Sequence, residues 1–293
     1  MARRAWPRLV SVVIPVLNEA KWLATQLEAL AGQTYPRPWE LVIADNGSVD
    51  GSPDIARAWL PRFARARVVS APDLQLASHA RNAGVAAASG EFFAFTDADD
   101  LAEPDWLERM VEAARDGDLV AGEIGRFRLN EPAVAAWHPV APRQRALEGF
   151  RFMPYASGSN TGIWADVFHA IGGYDEQCPA GEDIEISWRA QLAGYKLVLA
   201  PDAVVNERYR RTIRDVGRQH FFYGKAGPDL YVRFARHGMP RPRARDSART
   251  YAWLAGTVPA LPWSRTMRGR WMVDAALKAG SIVGSARRRV LFV

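Results

Sequence analysis

Residues 97–100 carry three carboxylates in four positions, Asp97, Asp99 and Asp100. Carboxylates this close repel one another, so a cation or a firm set of hydrogen-bond donors is needed to hold them. Oxygen ligands of this kind suit Mg²⁺ or Mn²⁺, which would join them to phosphate oxygens of a substrate. The other interpretation is a solvated acidic turn before a helix that begins near Pro104.

Three further residues have side chains suited to nucleotide or acid–base chemistry. Asp45 follows a short apolar run, where its carboxylate would accept from a nucleobase or ribose, or would close an Asx turn. Arg81 has the forked guanidinium that binds a diphosphate, although it also fits an ordinary surface ion pair. Asp183 opens a predicted helix, where it would serve as an ionised general base or simply as a cap.

The elements that must position these residues alternate between strand and helix. Apolar runs predict buried strands at residues 9–15, 39–44, 66–70 and 91–96. Helical patterns lie between them, at residues 19–30, 53–63 and 79–88. This order predicts a mostly parallel sheet covered on both faces, which binds ligands beyond the carboxyl ends of its strands. The polar clusters at residues 18–19, 45–48 and 97–100 follow strands at that edge.

The second half of the sequence is less regular. It contains predicted helices at 106–114 and 183–193 and predicted strands at 119–124, 157–163 and 196–200. The proline-rich residues 126–156 predict a loop over the site, and helices return after residue 212. We expect a catalytic domain over residues 1–210, with halves at about 8–100 and 101–210, and a helical basic region over 211–293.

Charge is divided unevenly along the chain. Residues 1–207 carry 19 basic and 28 acidic residues, a net charge of −9, whereas residues 208–293 carry 19 and 4, a net charge of +15. Such a basic region suits a phosphate-rich partner, which would be nucleic acid, anionic lipid or a nucleotide. It also fits the surface of a generally arginine-rich protein, since 34 of the 38 basic residues are arginine.

Composition excludes several classes of protein. The single cysteine, Cys178, excludes a disulfide framework and indicates a reducing compartment. The sequence has neither the apolar stretch of about 20 residues that a membrane-spanning helix needs nor the apolar core of a signal peptide. We therefore expect a cytoplasmic protein, either free or peripheral on the inner face of the membrane.

Several segments resemble the family 2 glycosyltransferases, which use the GT-A fold. The matching segments occur in the family's order and together cover residues 8–210. The segments are residues 10–19, 44–52 (ADNGSVDGS), 80–84 (ARNAG) leading into 90–100, and 172–176 (GGYDE) followed by 181–183 (GED). The resemblance implies a Rossmann-like, mostly parallel sheet flanked by helices. It also implies inverting transfer of a sugar from a nucleotide-diphosphate sugar, with a UDP-sugar favoured, to a small-molecule, glycan or lipid-linked acceptor.

The resemblance also implies roles for individual residues. The nucleotide sugar would contact Pro15, Leu17, Glu19, Asp45, Ser48, Arg81 and Asp97. The metal would be held by Asp99, Asp97 and Glu207, the catalytic residues would be Asp183 as base and Glu182, and the acceptor would contact Asn160 and Trp188. Trp137 is a further candidate for stacking on a sugar.

Three positions depart from the family pattern. Asn46 replaces the second aspartate of the usual Asp-Asp-Gly, a change that we expect to be tolerated because Asp45 carries the base contact. Asn206 and Glu207 stand where many relatives have a histidine, so Glu207 is the substitute metal ligand. The Gln-x-x-Arg-Trp motif of processive members is absent, which favours transfer of a single sugar.

Two other functions remain open from the sequence. A sugar nucleotidyltransferase would also be a metal-dependent α/β protein, but the loop at residues 15–19 lacks the glycines that such enzymes carry there. A nucleic-acid-binding module would use the basic region but would leave the acidic clusters unexplained, so we expect no nucleic acid partner. We favour an anionic membrane surface, into which Trp253, Trp263 and Trp271 with Leu254, Leu261 and Met272 would dip.

Overall fold

The computed structural model describes residues 3–138 and 148–292 of the chain. These residues divide into two compact units. The first unit comprises residues 3–128, 155–177 and 182–208, and the second comprises residues 129–138, 148–154, 178–181 and 209–292. The sequence predicted one boundary after residue 210, whereas the second unit also takes in residues 129–138, 148–154 and 178–181. Part of the predicted loop, residues 139–147, lies outside the described residues.

Within the described residues, eight strands of the first unit form one sheet. They are β1 (Val10–Val16), β2 (Trp39–Asp45), β3 (Ala66–Ser70), β4 (Phe92–Thr96), β5 (Leu101–Ala102), β6 (Leu119–Gly125), β7 (Asn160–Trp164) and β8 (Leu197–Asn206). Their order across the sheet is β3-β2-β1-β4-β7-β6-β8-β5. The pairs β1–β2, β2–β3, β1–β4 and β6–β8 are parallel, and the pairs that involve β7 or β5 are antiparallel. The predicted α/β fold with a mostly parallel sheet is confirmed.

Six helices of the first unit accompany this sheet. They are α1 (Leu23–Ala31), α2 (Ser52–Trp59), α3 (Ala77–Ala86), α4 (Trp106–Ala114), α5 (Ala165–Ala170) and α6 (Glu182–Leu192). The β-branched and aromatic residues of β1, β2 and β4 form the core with leucines of α1 and with Trp106 and Met110 of α4. Burial of these strands on both faces explains their continuous apolar sequences.

The register of the sheet gathers several loops at one edge. Val16 at the end of β1 lies beside Asp45 at the end of β2. Because β7 runs against β4, its first residue, Asn160, pairs with Thr96 at the end of β4. Asn206 at the end of β8 pairs with the last residue of β6. The segments 17–19, 45–52, 97–100, 157–159 and 207–208 therefore all leave the sheet at the same edge.

Strand β8 is longer than the sequence predicted. The prediction ended it at Ala200, before Pro201, but pairing with β6 continues to Asn206 after a shift of register between Ala200 and Val204. Such an irregularity accommodates a proline, which cannot donate to the ladder. The continuation carries Glu207 and Arg208 to the edge where the other polar segments lie.

The second unit is mainly helical. Its helices are α7 (Ile213–Gly224), α8 (Ala226–Phe234), α9 (Ala244–Thr257) and α10 (Arg265–Arg288), with a short helix at Pro132–Ala135 and a hairpin of Glu148–Gly149 and Met153–Pro154. Val134 and Trp137 pack with Val216 of α7 and Val273 of α10. This contact explains why residues before 139 join the basic C-terminal helices. No helix in the described part of the chain has the length and apolarity needed to cross a bilayer.

Helices α7 and α10 approach each other through glycines. A Cβ atom built on Gly280 would lie 2.1 Å from the carbonyl oxygen of Phe221, and one on Gly224 would lie 2.2 Å from that of Leu277. Both neighbours are backbone atoms, which cannot move aside as a flexible side chain does. The helix contact therefore depends on the absence of side chains at these two positions.

We predict that Gly280→Ala lowers the free energy of unfolding by about 1–3 kcal/mol, because the added methyl forces the two backbones apart. Gly256→Ala in α9 is the matched control, since a Cβ atom there meets no atom of the described residues within 4 Å. The control should be neutral or stabilising by up to about 1 kcal/mol through helix propensity. Urea unfolding of both variants measures the difference, and equal stabilities would contradict the packing described.

Candidate active site

The loops that follow β1 and β2 are hydrogen-bonded to each other. The backbone N–H of Asn18 donates to Oγ of Ser48 at 3.0 Å, and Oδ1 of Asn18 accepts from the N–H of Val49 at 2.9 Å. The N–H of Glu19 donates to Oγ of Ser52 at 2.8 Å. Asn18 has a φ of +57°, a left-handed conformation that asparagine tolerates. The predicted donor-binding residues in these loops thus belong to one braced surface.

Asp45 forms the Asx-type turn that the sequence left open as one of its two roles. Its Oδ1 accepts from the backbone N–H of Ser48 at 3.3 Å, which is the Asx-type turn, and its side chain remains partly exposed. The neighbouring Asn46 is buried and donates from Nδ2 to the carbonyl oxygen of Leu76 at 3.0 Å. The position that departs from the family pattern therefore faces inward and has a structural bond.

Arg81 is the buried charge at the centre of the site. It lies in α3 with 2% of its surface exposed, and its Nη2 donates to Oδ1 of Asp97 at 2.9 Å while its Nη1 donates to Oε1 of Glu182 at 3.0 Å. Burial alone would lower the pKa of Arg81, but the surrounding negative charges, Asp97 foremost, raise it above its usual value. The guanidinium therefore stays charged.

These contacts correct the predicted role of Arg81. Because both terminal nitrogens hold carboxylates, the side chain is not presented to a diphosphate, and it is no surface ion pair either. It instead joins Asp97, which follows β4, to Glu182, which begins α6. The helix thus brings the predicted base next to the predicted donor site.

Asp183 occupies the first turn of α6, as the sequence predicted. Its Oδ2 accepts from the backbone N–H of Gly158 at 3.1 Å and its Oδ1 accepts from the N–H of Ile184 at 2.8 Å. A side chain at position 158 would collide with Arg81, since a Cβ atom there would lie 2.8 Å from Nη2. The absence of a side chain at Gly158 therefore leaves room for Arg81 beside the segment whose backbone binds Asp183.

Burial and, after it, the nearby charge of Glu182 together raise the pKa of Asp183 to about 6. The two N–H donors and Arg81 act in the opposite direction. A carboxylate with this pKa is ionised at neutral pH and accepts a proton more readily than an ordinary aspartate. This environment suits a general base.

The acidic segment 97–100 is held by Arg208. The backbone N–H of Arg208 donates to Oδ1 of Asp100 at 3.0 Å, and its Nε donates to the carbonyl oxygen of Asp99 at 3.0 Å. The guanidinium also lies over the ring of Trp22, 3.7 Å from its centroid. The continuation of β8 thus fixes the backbone that carries Asp99.

The donor atoms at this segment suit a hard cation. Asp100 is buried, and its Oδ2 has no hydrogen-bond partner among the described residues. Burial and then the charges of Asp97, Asp99 and Glu207 raise the pKa of Asp100. Such a concentration of carboxylate oxygens would be stabilised by Mg²⁺ or Mn²⁺.

The side chains that the structure describes do not by themselves form a closed metal site. In residues 3–138 and 148–292, no group of three or more His, Cys, Asp and Glu side chains is placed to hold a metal ion. Asp97, one of the three predicted ligands, bonds to Arg81. These facts fit the usual mode of Mg²⁺, which takes one or two protein carboxylates and completes its shell with phosphate oxygens and water.

Two predicted acceptor-binding residues are core residues. Asn160 is fully buried; its Oδ1 accepts from Nε1 of Trp106 at 2.8 Å, and its Nδ2 donates to the carbonyl oxygens of Glu123 and Ala203, each at 2.8 Å. Trp188 is fully buried on α6, and Trp137 is 1% exposed in the second unit. None of the three side chains is accessible to a sugar, so these predictions were wrong.

Sequence reasoning missed three residues of the site, Gly158, Arg208 and Tyr155. Burial, with the charges of Asp183 and Glu207, raises the pKa of Tyr155 to about 12, so its hydroxyl remains a hydrogen-bond donor near the predicted base. The run of small polar residues at 157–160, directly before a buried strand, was the signal available for Gly158. Nothing comparable marked Arg208, because β8 was expected to end earlier.

The sequence matches the model described as Glycosyl transferase family 2 over residues 11–172. The glycosyltransferase AglE of Haloferax volcanii is 31% identical over 226 residues, which are 76% of this chain and 74% of that protein.

Solved structures share the fold. The mannosyltransferase PcManGT from Pyrobaculum calidifontis, in complex with GDP-Man and Mn²⁺, is 22% identical with a TM-score of 0.70 and covers 95% of this chain and 87% of its own. S. aureus TarS 1-349 in complex with UDP-GlcNAc is 15% identical with a TM-score of 0.55 and covers 97% and 93%. The predicted GT-A fold is confirmed.

We predict that Arg81→Ala lowers the free energy of unfolding by about 3 kcal/mol, because it removes the buried cation that pairs with two partly buried carboxylates. Arg57→Ala is the matched control: it also removes an arginine from an ion pair, but Arg57 and Asp54 have 64% and 89% of their side chains exposed. The control should change stability by less than about 0.5 kcal/mol. Similar losses for both variants in urea unfolding would show that Arg81 does not have the central role described.

Proposed function

Because the chain belongs to glycosyl transferase family 2, we propose that it transfers one sugar, with inversion at the anomeric carbon, from a nucleotide-diphosphate sugar to an acceptor hydroxyl. The observation that supports this most strongly is the placement of Asp183. Arg81 links the start of α6 to Asp97, so a base with a raised pKa lies beside the polar strand ends where a nucleotide would bind.

In the proposed reaction, the acceptor oxygen attacks the anomeric carbon from the side opposite the diphosphate. The new bond joins that carbon to the acceptor oxygen, the bond to the diphosphate oxygen breaks, and the nucleoside diphosphate leaves with the electron pair. Asp183 takes the acceptor proton as the bond forms. Glu182 acts on this step through its charge, which helps to raise the pKa of Asp183.

The donor would be held at the braced loops after β1 and β2. Asp45 and Ser48 present polar atoms for the nucleoside, and Pro15, Leu17 and Glu19 supply the neighbouring surface. Asp99, with Asp97 and Glu207 nearby, would hold Mg²⁺ or Mn²⁺. When bound, the cation neutralises charge on the departing diphosphate.

The nucleotide and the acceptor are proposed by chemical class. The solved neighbours are complexes with GDP-Man and with UDP-GlcNAc, which supports a nucleotide-sugar donor. We favour a UDP-sugar, and a small molecule, glycan or lipid-linked hydroxyl as acceptor. We further propose that the protein works on the cytoplasmic side of an anionic membrane, to which its basic C-terminal region is attracted.

We predict that Asp99→Ala abolishes the Mn²⁺-dependent part of donor binding, whereas Asp183→Ala keeps donor binding and loses turnover. Thermal shifts with UDP-, GDP- and TDP-sugars, with and without Mn²⁺, measure binding, because a ligand that binds only the folded state raises the melting temperature. The control is Asp116→Ala, which removes an exposed carboxylate that pairs with Arg3. An Asp183→Ala protein with unchanged turnover would contradict the proposed base.

We predict that kcat/KM falls about tenfold for each pH unit below about 6. The reason is that the base must be ionised, and burial with the charge of Glu182 raises the pKa of Asp183 to about 6. Above that pH the group is charged and the rate should level off. A pH–rate profile from pH 4.5 to 8 measures this, and an acidic limb near pH 4 would contradict the environment assigned to Asp183.

A further inference from the structure

Residues 258–263 form an exposed apolar turn between α9 and α10. Their sequence, VPALPW, has no charged or hydroxyl side chain, and none of the six residues is buried. Trp263 is 87% exposed and Val258 is 50% exposed. A tryptophan is favoured where its ring leaves water and its N–H keeps a polar partner, so this exposure in water is unfavourable.

Hydrogen bonds from neighbouring residues hold this turn in place. Nη1 of Arg268 donates to the carbonyl oxygens of Leu261 at 3.0 Å and Pro262 at 3.1 Å. Ser264 caps α10 by accepting from the N–H of Met267 at 3.1 Å, directly after Trp263. These bonds fix the apolar residues in an outward position.

Positive charge surrounds the turn. Residues 241–270 contain seven arginines and one acidic residue, Asp246. Arg249, Arg268 and Arg270 are exposed; Arg270 lies over the ring of Trp253 and is close enough to Asp274 to act on its pKa. An exposed apolar tip flanked by exposed arginines has the chemistry of a surface that enters the headgroup region of an anionic bilayer.

We propose that residues 258–263 insert into the interface of an anionic membrane, with Arg249, Arg268 and Arg270 contacting lipid phosphates. This inference rests on the proposed membrane location and names the element responsible for it. It also narrows the tryptophans that the sequence predicted to enter the membrane from three to one. Trp271 is partly buried and donates from Nε1 to the carbonyl oxygen of Leu254 at 2.9 Å, and Trp253 is partly buried beneath Arg270. Trp263 is therefore the tryptophan that inserts.

Charge argues against a second copy of the chain as the occupant. A symmetric pair that met through residues 258–263 would bring two surfaces of the same strong positive charge together. A nucleic acid would pair with the arginines, but its binding would not require the apolar tip to leave water. A membrane accounts for both features.

The test is co-sedimentation of the full chain with vesicles of 70% phosphatidylcholine and 30% phosphatidylglycerol, compared with vesicles of phosphatidylcholine alone. We expect binding to the anionic vesicles, and we expect Trp263→Ser to reduce the partition coefficient about tenfold or more through lost apolar burial. Leu291→Ser is the matched control, because Leu291 is also exposed, at 68%, and lies in the same unit. Arg249→Gln combined with Arg270→Gln, which leaves the bonds of Arg268 to the turn in place, should weaken binding to the anionic vesicles.

Unchanged vesicle binding by Trp263→Ser, or equal losses in Trp263→Ser and Leu291→Ser, would overturn the inference. The inference would also be overturned if double-stranded DNA released the wild type and Trp263→Ser from the vesicles to the same extent. That result would identify a nucleic-acid surface. Melting temperature and donor-induced thermal shift are measured on every variant and should match the wild type. A chain that binds donor but not vesicles would refute the membrane contact and leave the proposed glycosyl transfer standing.

Discussion

Burial of the Arg81 guanidinium is the constraint on which the rest of the site depends. A permanent positive charge can be removed from water only where carboxylates meet it, and here they come from the end of β4 and the start of α6. That requirement ties the end of β4 to a helix more than 80 residues later in the chain. Gly158 completes the arrangement, because only a residue without a side chain leaves room for the guanidinium.

The same charge balance explains how the residues divide their work. Asp97 and Glu182 each form an ion pair with Arg81, whereas the partly buried Asp183 has a raised pKa because of its desolvation and the charge of Glu182. At the other end, Arg208 binds the segment that carries Asp99 and Asp100, and burial with the charges of neighbouring carboxylates raises the pKa of Asp100. One end of the site therefore suits a proton acceptor, and the other suits a divalent cation with phosphate.

The sheet and the strand-end location of the site were predictable from the sequence. Continuous apolar runs such as β1 and β4 indicate strands that are buried on both faces, and the polar clusters come directly after such runs. Asp45 and Asp183 were placed correctly at a strand end and a helix start for the same reason.

The orientation of side chains was not predictable. Asparagine and tryptophan side chains often contact sugars, but Asn160 is buried in β7, which pairs antiparallel with β4, and Trp188 is buried on the inner face of α6. Arg208 was missed because the register shift that extends β8 past Pro201 depends on its neighbours. Family membership, rather than any local pattern, excludes a nucleotidyltransferase and a nucleic-acid module as the main function.

Hydrogen–deuterium exchange with and without a nucleotide sugar and Mn²⁺ tests the central claim most directly, since it reports which backbone segments a donor covers. The account predicts slower exchange in three separate segments at one edge of the sheet, residues 17–20, 45–52 and 97–100. Residues 60–65, which lie before β3 at the other edge, should exchange unchanged. Protection confined to a single segment, or at residues 60–65 instead, would contradict a shared site at the strand ends.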